Sequence, residues 1–106
     1  MAHAYKNSKT DLTTTNATDI VTVPTKKTDI VKSILVSDDS GSGDTFDLTI
    51  VNGSDTYSVC KSKSVGANGT SEVLSSPLVL VNPDILKITA TTANRLHVIV
   101  SYLEVS

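Results

Sequence analysis

Two histidines, one cysteine and a run of aspartates are the side chains here that could do chemistry. Nucleophilic catalysis needs a hydroxyl or thiol beside a base. Serine and threonine are abundant, but His3 lies between Ala2 and Ala4, and His97 sits within an alternating, strand-like segment. No GxSxG elbow is present to strain a serine into reach. Cys60 is the single cysteine, which excludes an internal disulfide and a CxxC site. In Tyr57-Ser58-Val59-Cys60 it reads as a small buried hydrophobe. Asp38, Asp39 and Asp44, with Ser40 and Ser42, gather oxygens in one glycine-containing loop. Calcium favours such loops, but this one lacks the ligand spacing and distal glutamate of an EF-hand. It reads as a solvated hairpin loop. One cysteine and two distant histidines cannot build a zinc site. The residues therefore predict no catalytic, cofactor-binding or metal-binding position, and no enzyme.

Binding groups are sparse too. Tyr5, Lys6 and Lys9 form a small basic cluster, Lys26 and Lys27 tip a turn, and Lys61 and Lys63 edge a loop. The net charge is −2 and the sequence pI about 5.5, which argues against a nucleic-acid partner. Carboxylate pairs could serve a glycosidase, but tryptophan, the usual sugar platform, is absent. No apolar run approaches the roughly 18–20 residues that cross a bilayer, so no membrane partner is expected. Residues 1–10 hold no apolar segment of the kind a secretory leader needs.

The elements that position these groups are strands. The chain has 106 residues, of which 13 are valine, 7 isoleucine and 15 threonine. Such β-branched side chains favour pleated sheet over helix. Residues 1–10 lack any period and read as a flexible N-terminal arm, leaving 11–106 as a single β-sandwich domain. A first strand opens at 12–15, and 19–23 follows until Pro24 stops it. Residues 29–37 form a long strand with Ile30, Ile34 and Val36 on one face. Residues 45–51 put Phe46, Leu48 and Ile50 inward. Asn52-Gly53 and the strand at 56–60 make the strongest hairpin signal. A connection at 61–70 leads to short strands at 72–74 and 78–81, split by Pro77. After the Asn82-Pro83-Asp84 turn, 85–90 buries Leu86, Ile88 and Ala90. The closing strand 95–105 buries Leu96, Val98, Val100 and Tyr102. About eight to nine short strands with regular turns predict an all-β, antiparallel two-sheet β-sandwich. Jelly-roll and immunoglobulin-like connectivities both fit this pattern. With four aromatic residues, the core is thin, and subunit contacts are expected to supplement it.

A wider pattern emerges from Leu12-Thr13-Thr14, Ile20-Val21-Thr22-Val23-Pro24 and Lys27-Thr28-Asp29-Ile30-Val31-Lys32-Ser33-Ile34-Leu35-Val36. Asn82-Pro83-Asp84-Ile85-Leu86-Lys87-Ile88-Thr89-Ala90 and Ser101-Tyr102-Leu103-Glu104 continue it. Over residues 12–105 the chain resembles small virion structural proteins of tailed bacteriophages, notably those of marine bacteria. It departs in two turns that usually carry glycine: Thr25-Lys26-Lys27, and Pro83 directly before Asp84. The resemblance implies a head decoration (cement) protein, made in the bacterial cytoplasm and carried on the capsid surface. Its partners would be the major capsid protein and further copies of itself, as a trimer or dimer. Tyr5, Lys6 and Lys9 are the candidate interface residues, because aromatics are enriched at interfaces. A tail, neck or fibre-associated component is the alternative, followed by a glycan- or host-binding β-sandwich.

Overall fold

Alternating β-branched residues fill a pleated surface better than a helix. In the computed structural model, which describes residues 3–106, all regular structure is strand. The strands are β1 (His3–Asp11), β2 (Thr18–Thr22), β3 (Thr28–Asp38), β4 (Asp44–Asn52), β5 (Asp55–Val65), β6 (Thr70–Glu72), β7 (Leu78–Val81), β8 (Ile85–Ala90) and β9 (Leu96–Val105). One antiparallel sheet has the order β1-β9-β3, with β7 and β6 sharing the far side of β3. The other has the order β2-β8-β4-β5.

This is the expected two-sheet β-sandwich. Its connectivity is that of a jelly roll. With β6 and β7 counted as one broken strand, the chain changes sheet at every connection except the β4–β5 hairpin. That order excludes the immunoglobulin-like alternative. The core is aliphatic apart from Phe46. Ile34, Val36, Val98 and Val100 from the first sheet face Leu48, Leu86 and Ile88 from the second.

Four local expectations need correction. Residues 3–10 are strand rather than a flexible arm, and so belong to the sandwich. β1 pairs with β9 from His3 opposite Val105 to Asp11 opposite His97, without a bulge. An edge strand keeps most of its side chains in solvent, so its sequence shows no apolar alternation. Residues 1 and 2 of the expected arm lie outside the described residues. The strand expected at 12–15 is the connection after β1. Leu12 enters the core there, and its backbone bonds Leu96 and Asn94.

β5 runs on to Val65, through what reads as a connection. Ser62 has a left-handed φ of 51° and donates its N–H to Asp47 at 2.7 Å. This irregularity hides the strand's period. The fourth correction concerns β3. Its pairing with β9 shifts between Val31 and Ser33, so the inward parity changes there. Asp29 and Val31 point in before the bulge, Ile34 and Val36 after it, and Ile30 points out. Glu72 fills the gap between β6 and β7 that the bulge faces. Its carboxylate accepts the Ile34 N–H at 2.9 Å and the Ser33 hydroxyl.

Candidate interaction surface

The inward position of Asp29 creates the most unusual site in the sandwich. Asp29 is fully buried, and its register partner Glu104 is 5% exposed. Lys6, two residues along β1 from Glu104's register partner Ala4, reaches diagonally to the Glu104 carboxylate at 2.6 Å. Lys27, just before β3, stands 3.6 Å from the same oxygen. The Lys6 hydrogen bond holds Glu104 below the usual carboxylate range, and Glu104 in turn raises Lys6. Asp29 goes the other way. Burial, followed by the hydrogen bond and charge of Glu104, pushes it up to about 6. An ionised Asp29 has no donor in reach among the described residues. Below about pH 6 a protonated Asp29 donates to the ionised Glu104, which raises one carboxyl and lowers the other. Lys6 therefore pins β1 to the sheet through an acid pair.

The odd-numbered residues of β1 face outward. Tyr5 lies opposite Leu103, Leu103 opposite Ile30, and Ile30 opposite Val79. These four side chains form one apolar row across β1, β9, β3 and β7. Its ends are the most open, with Tyr5 84% and Val79 57% exposed. Val81 and Ile99 lie exposed on the same face. A shallow cleft of about 420 Å³ lies beside them, lined by Lys9, Thr10, Asp11, His97 and Ile99. His97 sits 3.4 Å from Asp11 and 3.8 Å from Asp39 there. Of the three candidate interface residues, Tyr5 and Lys9 share this outer face, while Lys6 turns inward to Glu104. The buried Asp29–Glu104 pair was not legible in sequence, because both residues sit in runs where a polar residue usually faces solvent.

The acidic loop is organised around one carboxylate. Asp38 accepts the amides of Ser40, Gly41, Gly43 and Asn68 at 3.0–3.1 Å, and the Ser40 hydroxyl at 2.6 Å. The Ser40 hydroxyl and the Asn68 amide lead in holding Asp38 well below the usual carboxylate range. Gly43 is required at its position: φ is 74°, and a Cβ would meet the Val65 carbonyl oxygen at 2.9 Å. Asp38 thus joins its own loop to the turn at 66–69. No group of three or more His, Cys, Asp or Glu is arranged for a metal among the described residues.

Asp38→Ala is expected to lower the melting temperature and speed exchange of the Gly41, Gly43 and Asn68 amides. A depressed carboxylate contributes its full stability above its unfolded value, near pH 4. The contribution fades as pH falls below that value towards the lower folded one. Thermal melts of wild type and variant should therefore converge in acid. A constant gap at every pH would show that Asp38 acts through packing alone.

Cys60 is half-buried, and packs against the core. Burial pushes its thiol up, which suits packing better than nucleophilic attack. No protein-family model matches this chain, and no curated protein matches it.

Proposed function

We propose that this chain is a non-enzymatic structural protein of a bacteriophage particle. In this reading it is a decoration protein that binds the outer surface of the major capsid protein lattice and stabilises the head. The observation that carries the reading is the outer face of the β1-β9-β3-β7 sheet. Small-molecule sites are concave and largely enclosed. This face instead presents a shallow strip with the apolar row Tyr5, Leu103, Ile30 and Val79. Such a strip suits docking against another protein. The resemblance of residues 12–105 to phage virion proteins supplies the choice of partner. A jelly roll also occurs in capsid and lectin domains alike, so the fold itself does not select among them.

The test is copy number in purified particles, by quantitative mass spectrometry against the major capsid protein. A lattice-wide decoration protein should be present in hundreds of copies. A few to a few dozen copies would place it at a tail, neck or vertex instead. Complete absence from particles would overturn the structural reading.

A further inference from the structure

The sandwich has four sheet edges, and they are not equally protected. Sheet edges offer unpaired N–H and C=O groups to any passing strand, so proteins usually blunt them. The β6–β7 edge is two short pieces. β2 is five residues long and shifts register at Asp19–Val21. β5 carries Lys61, Lys63 and two register shifts against β4. β1 differs from all three. It is nine residues long, contains no proline and pairs with β9 without a bulge. Its inward lysine, Lys6, is neutralised by Glu104 and so gives the edge little repulsion.

Backbone parity fixes which residues face that open edge. The Leu12 N–H donates to the Leu96 carbonyl at 3.0 Å, and the Asp39 N–H to the Arg95 carbonyl at 2.8 Å. In an antiparallel ladder, residues alternate between bonding one neighbour and bonding the other. Even residues of β1 therefore bond β9. His3, Tyr5, Asn7, Lys9 and Asp11 turn their N–H and C=O groups away from it, towards the free edge.

The geometry points to a second copy of this chain as the strand that fills this edge, paired antiparallel about a two-fold axis at Asn7. This inference rests on the docking-surface reading above and names a partner for it. Centring the pair on Asn7 overlaps β1 along its whole length. It sets His3 opposite Asp11 of the second copy, and Tyr5 opposite Lys9. An imidazole meets a carboxylate, and an aromatic ring meets an ammonium. Shifting the centre to Lys6 would set His3 against Lys9 and shorten the overlap. Shifting it to Ser8 would leave His3 without a partner strand. The Asn7 register alone matches every outward residue with a complementary one. Parity is conserved across the pair, so both apolar rows fall on one continuous outer face.

Sedimentation equilibrium of the full chain tests this. The mass should rise with concentration from 11.2 kDa towards twice that value. Asn7→Pro removes an N–H that β9 does not use, and proline is tolerated on such an edge. The variant should keep its circular dichroism spectrum and dimerise about 10- to 100-fold more weakly. A second measurement covers a variant that fails to fold. In antiparallel hydrogen-bonded pairs the Cα atoms lie about 5.5 Å apart, within disulfide reach. Asn7→Cys in a Cys60→Ser background should therefore form covalent dimers under mild oxidation. A wild type that stays monomeric overturns the proposal. So does a dimer that Asn7→Pro leaves unchanged, or that the Asn7→Cys thiols do not trap. A monomer abundant on particles would sink the edge pairing and leave the coat reading standing. A dimer missing from particles would do the reverse.

Discussion

Asp29→Asn is expected to make the protein more stable at neutral pH, although it alters a fully buried side chain. Asp29 rises from an ordinary value of 3.8 to about 6 in the folded protein. A carboxyl raised on folding contributes its stability below the unfolded value and loses it as pH climbs through the folded one. Between about pH 4 and pH 6 the fold must therefore give up a proton that it holds more tightly than the unfolded chain. Above that window an ionised Asp29 faces Glu104 with no donor among the described residues. The amide of asparagine keeps the shape and donates to Glu104 at every pH. At pH 7–8 the gain should approach, and not exceed, about 3 kcal/mol, from 1.36 kcal/mol per unit. Below pH 4 the gain should vanish. Urea melts of both proteins across this range measure it. An equal difference at pH 4 and pH 8 would remove the Asp29 proton from the account.

Phe46→Ala should do the opposite, and on a larger scale. Phe46 is the single phenylalanine of the chain and is 1% exposed. It stands on β4 between Lys63 of β5 and Ala90 of β8, where the facing side chain is small. Strands on either side bound by ladders cannot close readily over the lost ring. Truncation of a buried phenylalanine costs about 3–5 kcal/mol. For a domain of this size that corresponds to a drop in Tm on the order of 15–25 °C. Calorimetry measures the change directly. A drop of only a few degrees would mean that the two sheets move together to fill the space.

The sandwich was legible where the period of two is clean. Phe46 and Leu48 on β4, Leu86, Ile88 and Ala90 on β8, and Leu96, Val98 and Val100 on β9 all face the core as their alternation requires. Elsewhere the signal was carried by backbone rather than side chains. β1 exposes almost every residue, and pairing with β9 alone makes it a strand. The bulge at Val31–Ser33 inverts the parity of β3, so Asp29 and Val31, rather than Ile30, share the buried face with Ile34 and Val36. The choice between jelly roll and immunoglobulin-like order depends on which strands become neighbours, and alternation is blind to that. The candidate surface was half legible. Tyr5 and Lys9 lie on the outer face, but Lys6 is held by Glu104, an acid distant in sequence. Glu104, and Glu72 at the gap in the other edge, are the only glutamates in the chain. Both hold backbone and strand in place.

The unequal edges also limit how far copies can add to one another. A strand that pairs with its own counterpart about a two-fold axis uses up the same surface on both copies. On the far side, Pro77 and the break between β6 and β7 leave no strand long enough to repeat the step. Growth by this route closes at two and cannot run on into a fibre. Pairing at this edge would thereby give a threonine- and valine-rich sequence, of the kind suited to aggregation, a single permitted stopping point.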